Sequence, residues 1–166
     1  MKKKMLLLIV IVIMLVGCNM ANTPSSIVDD LFNKYQKLDS DIDYGIDTVL
    51  NEQNLTSEHK KRYRELLEKQ YKNLSYEIKN ETIDGNTAIV TVEIEVVDYK
   101  QAISDLTFDS TMYTKESFDE EKLNRLESAN NKVAYTLDLS FTKDKDDNWK
   151  LDALTNEQIK KIQGMY

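Results

Sequence analysis

The chain has 166 residues, a formal charge of −7, 31% charged side chains, and single copies of cysteine, histidine, proline and tryptophan. One cysteine excludes an internal disulfide framework and a thiolate zinc centre, and the length suits one domain behind a short leader. The acidic balance argues against a nucleic-acid surface, because a negative protein is repelled by phosphate backbones at long range.

Lys2, Lys3 and Lys4 precede an apolar run from Met5 to Val16, which ends at Leu15-Val16-Gly17-Cys18. Twelve apolar residues fall short of the ~20 that a membrane-spanning helix needs, and they fit the apolar region of a signal peptide. A small residue before cysteine is the arrangement a lipoprotein signal peptidase cuts. Residues 1–17 are therefore expected to be removed, with cleavage between Gly17 and Cys18 and a diacylglycerol on Cys18. Two acyl chains make such an anchor stable where one does not. Removing three lysines leaves 19 basic against 29 acidic side chains over 149 residues, a formal charge of −10.

Residues 18–26 read as the lipidated N-terminus and a tether, and residues 27–166 as a single domain. Thr23 and Pro24 offer an N-cap and an N1 proline, after which Ile27, Leu31, Tyr35 and Leu38 recur at helical spacing. Ile42, Ile46 and Val49 continue the phase, while Asp39, Ser40, Asp41 and Gly45 predict a break. Thr56 caps the next helix, whose stripe is Tyr63, Leu66, Leu67, Tyr71 and Leu74.

The period then shortens to two. Tyr76 and Ile78 alternate with polar residues, Asp84-Gly85-Asn86 reverses the chain, and Ala88, Val90, Val92, Ile94 and Val96 line one face of a strand. Asp98 and Gln101 make a capping pair for a helix carrying Tyr99, Ala102, Ile103 and Leu106. Ser117 and Glu120 repeat the pair before a helix with Leu123 and Leu126. Val133, Tyr135, Leu137, Leu139 and Phe141 form the next strand. An acidic turn from Asp144 to Asn148 leads to a return strand with Trp149, Leu151 and Ala153, and Thr155 and Gln158 cap a terminal helix with Ile159 and Ile162. This order predicts an α+β fold, a curved antiparallel sheet of about four strands in two hairpins with helices on its apolar face.

The stretch closing the first hairpin at Asp98-Tyr99, the Leu139–Leu154 strand-turn-strand with Thr142-Lys143 and Asn148-Trp149-Lys150-Leu151, and the ending Lys161–Tyr166 together resemble a group of small bacterial lipoproteins. Their exported part looks like the nuclear transport factor 2-like or cystatin-like cone. The resemblance covers nearly the whole mature chain and implies a cone-like sheet, with no assigned activity to carry over.

Candidate chemistry is sparse. Asp144, Asp146 and Asn148 match the first three ligand positions of a calcium-binding EF-hand loop, but Trp149 stands where the loop needs glycine and Thr155 where it needs glutamate. Asp39, Asp41 and Asp43 fail in the same way. His59 stands alone beside Lys60, Lys61 and Arg62, which reads as a surface histidine, since zinc takes three or four ligands. In the basic stretch Lys60–Lys72, Lys61–Glu65, Arg64–Glu68, Glu65–Lys69 and Glu68–Lys72 are spaced as pairs on a solvated face. Glu93, Glu95, Asp138 and Asp152 alternate away from the apolar face. Asp98 and Tyr99 are the one acid–phenol pair near a pocket mouth, with capping and packing as their simpler roles.

The expectation is a membrane-anchored extracytoplasmic lipoprotein acting as a non-catalytic binding or accessory module. No catalytic, cofactor or metal residues are assigned, and the partners are the membrane through Cys18 and an envelope protein. A small-ligand carrier or cryptic enzyme using the cone interior is the alternative, and a part in a secretion or conjugation assembly a third. Pocket volume separates the first two.

Overall fold

Local chemistry sets the helix starts. In a computed structural model, which describes residues 22–166, Thr23 and Ser26 exchange side-chain and backbone bonds in a capping box, and Pro24 occupies the first helical turn. The signal segment, its cleavage site and Cys18 lie outside the described residues. Six helices and four strands follow in the order α1 (Pro24–Lys37), α2 (Ser40–Glu52), α3 (Ser57–Asn73), β1 (Ser75–Asp84), β2 (Thr87–Val97), α4 (Tyr99–Ala102), α5 (Lys115–Ser128), β3 (Lys132–Lys143), β4 (Trp149–Leu151) and α6 (Asn156–Ile162). The fold is α+β. Among the described residues no helix is long and apolar enough to cross a membrane.

The strands form one open antiparallel sheet in the order β1-β2-β3-β4. Strict alternation gives it a single apolar face, on which Val90, Val92, Ile94 and Leu139 are fully buried against Val28 and Phe32 of α1. The break between α1 and α2 falls at Leu38, which takes the left-handed conformation at φ 52°, and the Asp39 carboxylate then caps α2. A bulge at Lys79 interrupts the β1–β2 register. Where β4 ends, the outward carbonyls of β3 are taken by the Asp152 N–H on Ser140, the Gln158 amide on Asp138 and the Lys161 ammonium on Thr136. This part of the edge is thereby closed to further strands.

A smaller core of Leu66, Tyr99, Leu123 and Leu126 joins α3 to α5 beyond the sheet. The two helices run parallel, since His59 meets Glu120 and Arg62 meets Asn124 and Glu127.

Five expectations are corrected. The α1 face centres on Val28 and Phe32, with Ile27, Leu31, Tyr35 and Leu38 at its margins, because the helix meets both the sheet and α3. The helix after Asp98 lasts one turn. The chain leaves it at Ile103, where hydroxyls and carboxylates bond locally, as the Asp109 carboxylate does with the Thr111 N–H and hydroxyl. The α5 capping box is Thr114–Ser117, three residues before the Ser117–Glu120 pair, and the return strand stops at Leu151, before Ala153. Finally, Asn22–Ser26, placed in the tether by composition, belong to the domain: the Trp149 N–H donates to the Asn22 side-chain oxygen at 2.6 Å, and Pro24 is buried.

The sheet has two distinct ends. At the turn end, Gly85-Asn86 and Asp144–Asn148 lie side by side, joined by the Lys143 N–H on the Asn86 carbonyl at 2.9 Å. At the helix end, the Asp98 N–H meets the Asn131 carbonyl at 2.8 Å, and α4, α5 and the C-terminal segment gather. The eleven residues of β2 separate the two ends by about 33 Å.

Candidate functional site

The exit of β2 borders an open groove. The Asp98 carboxylate accepts the Gln101 N–H at 2.8 Å and starts α4, and the Lys100 N–H meets the Gly164 carbonyl at 2.9 Å. On the facing helix, Arg125 donates to Glu121 at 2.7 Å and reaches across to Asp105 at 2.6 Å. These two carboxylates, Glu121 foremost, raise the guanidinium pKa above its ordinary value, so Arg125 stays charged.

The Asp105–Arg125 pair divides an open groove. On one side is a concavity of about 480 Å³ bounded by Asp98, Gln101 and Asn131. On the other is one of about 600 Å³ bounded by Phe108, Asp109, Met112 and Tyr113. Phe118 anchors the loop, with the Phe108 ring edge-on at 5.3 Å and Tyr113 at 5.6 Å. Even so, Phe108 is 50% exposed and Met112 73%. An apolar rim beside fixed polar groups is a surface suited to recognition.

The interior offers much less room. Between the two cores lies a cavity of about 50 Å³, lined by Tyr63, Leu66, Tyr99, Leu126, Gln163 and Met165 among others. This is far below the ~300 Å³ at which small-molecule pockets begin.

The structure separates Asp98 from Tyr99. Asp98 lines the groove, whereas the Tyr99 hydroxyl turns inward toward the Leu66 carbonyl at 3.4 Å, and burial pushes its pKa up to about 12. The calcium-like turn is occupied by its own backbone: the Asp144 carboxylate accepts from Asn148 at 3.0 Å and Asp146 at 2.9 Å. Those bonds, with Asn148 first, hold its pKa below the ordinary carboxylate range. Asp39 caps α2, and Asp43 pairs with Arg64 at 2.7 Å. Among the described residues no group of three or more His, Cys, Asp or Glu is placed to hold a metal ion.

Glu93 and Glu95 stand on the outer sheet face, paired with Lys79 and Lys132. Asp138 receives the Thr91 hydroxyl and Asp152 the Thr142 hydroxyl on that face. The basic stretch is solvated in part, with Glu68 between Arg64 and Lys72, but its arginines also tie helices together. Arg62 bridges to Glu120, Glu127 and Asn124 on α5, and Arg64 to Asp43 and Asp47 on α2.

His59 is a correction. It is 5% exposed, with Nε2 3.1 Å from Glu120 and Nδ1 buried without a partner. Its place on the 59-63-66-70 stripe turns it toward α5, although its sequence neighbours are basic.

Sequence reasoning missed Asp105, Arg125, Phe108 and Met112. The available signal was Leu106, Phe108, Met112 and Tyr113 clustered in a stretch with no helical or strand period to bury them. Comparison of the chain with protein-family models, with curated proteins and with solved structures gives no match.

Proposed function

We propose that the chain is a lipid-anchored, extracytoplasmic binding module that holds an envelope protein through the α4–α5 groove and performs no chemistry of its own. The observation carrying this reading is the contrast between the cavity between the two cores, about 50 Å³, and the open groove, about 480 Å³ on the Asp98 side of the Asp105–Arg125 pair and about 600 Å³ beside the exposed Phe108 and Met112. The same contrast disfavours the carrier alternative. The anchor reading is supported by the basic and apolar leader ending at Gly17-Cys18. Kinship with the cone-like lipoproteins stands with it, supported by the α+β order of elements.

Two experiments test the halves of this reading. Clickable fatty acid should label the wild-type protein and not Cys18→Ser, and equal labelling removes the anchor. A photo-crosslinking residue at Met112 in intact cells should give one discrete protein adduct that Phe108→Ser and Asp105→Ala lose. The same residue at Thr136, on the outer sheet face, should not give it. Adducts indifferent to both substitutions, or to the position of the probe, would remove the groove as the binding site.

A further inference from the structure

We infer that the turn end of the sheet rests on the lipid surface, seated by Ile83 and Ile89, so that the α4–α5 groove stands about 33 Å away from the bilayer. The inference builds on the reading of Cys18 as the lipid-bearing residue.

The chain leaves the domain at a fixed point. Asn22 both receives the Trp149 N–H at 2.6 Å and donates to the Trp149 carbonyl at 3.5 Å, and the Thr23–Ser26 box and buried Pro24 lock the next residues. Beside it, the Ser25 N–H donates to Glu81 at 2.9 Å, tying the start of α1 to β1. From Asn22 to Cys18 there are four residues, which span at most about 14 Å in any conformation. A diacylglycerol on Cys18 therefore draws this end, and not the helix end, to the membrane.

The surface found there suits that position. Ile83 is 53% exposed and Ile89 48%, on opposite faces of the β1–β2 ribbon just behind its Gly85-Asn86 turn. The short tether and the exposed apolar side chains thus favour the same orientation. Two isoleucines alone would bind a bilayer weakly. Held within reach by the lipid, they need only choose an orientation.

The test uses full-length protein purified from membranes and reconstituted in phosphatidylcholine vesicles. With Cys18 occupied by lipid, Asn86→Cys and Met112→Cys each supply one thiol for an environment-sensitive fluorophore. Vesicles carrying headgroup spin-labelled lipid should quench the probe at Asn86 and leave that at Met112 bright, and Ile83→Ser/Ile89→Ser should abolish the quenching at Asn86. Equal quenching at the two positions, or quenching indifferent to the double substitution, overturns the inference. Mass spectrometry of the N-terminal peptide separates the two readings: with the diacylglycerol present such a result leaves the anchor standing, and with no lipid on Cys18 both readings fall.

Discussion

The side-chain amide of Gln70 clasps the backbone of Val97 at both groups, donating to its carbonyl at 2.9 Å and accepting from its N–H at 3.0 Å. Gln70 is 1% exposed and lies on α3, so the last residue of β2 is hydrogen-bonded by a helix instead of a strand. That junction is where the sheet meets the groove-bearing helices. A buried group stripped of its partner costs more than an ordinary hydrogen bond contributes.

Gln70→Leu keeps the apolar bulk and removes both bonds. It should cost about 2–3 kcal/mol, read as a lower urea midpoint with an unchanged slope. Gln70→Glu should do worse at neutral pH, since a carboxylate would face the Val97 carbonyl without a proton. A loss below about 0.5 kcal/mol in Gln70→Leu, the range of ordinary surface substitutions, would show that water replaces the amide there.

Gly164 shares the same junction. It sits at φ +70°, and a Cβ there would collide with the Val97 carbonyl oxygen and the Gln70 amide nitrogen. Gly85 has a similar φ of +59°, with open space around it. Gly85→Ala should therefore cost about 1–2 kcal/mol, the conformational penalty alone. Gly164→Ala should exceed it and should also move the Lys100 amide signal in NMR spectra, because Lys100 bonds the Gly164 carbonyl. Equal losses at the two glycines would mean that the collision is relieved without disturbing Val97.

The strands were legible because period-two alternation leaves little choice: Val90, Val92 and Ile94 can only share a face, and Leu137, Leu139 and Phe141 only its neighbour. The α1 face was less so. Ile27, Leu31, Tyr35 and Leu38 and the adjacent Val28–Phe32 pair both keep helical spacing, and the choice between them depends on what packs alongside. His59 was misread because charge at Lys60, Lys61 and Arg62 says nothing about the opposite helix face. The groove was hidden for a further reason, since it joins Asp98 and Asp105 to Arg125 through tertiary packing that no local period encodes.

The two cores offer a test of cooperativity. Leu139, fully buried against α1, and Leu123, 2% exposed in the α3–α5 cluster, are each expected to cost about 2–5 kcal/mol on substitution by alanine. Tyr63 packs against both clusters. Calorimetry of either variant should show one transition at a lower temperature. Two transitions in Leu123→Ala would mean that the helix pair melts apart from the sheet.

The Arg62 bridge predicts how that helix pair responds to acid. Hydrogen bonds from Arg62, its largest influence on each, hold the pKa values of Glu120 and Glu127 below the ordinary 4.5. A carboxyl whose folded value is depressed stabilises the folded state above its unfolded pKa, and loses that contribution as pH falls through the folded value. The wild-type domain should therefore keep the α3–α5 contribution at neutral pH and shed it progressively below about 4.5. Arg62→Met retains the aliphatic stem and removes the guanidinium. It should be less stable than wild type near neutrality, with the gap narrowing as the carboxyls protonate. Urea midpoints of both proteins from about pH 7 down to about pH 3 read this directly. A gap that stays constant through that range would mean that Arg62 acts by packing alone and that its ion pairs contribute nothing to holding α5 in place.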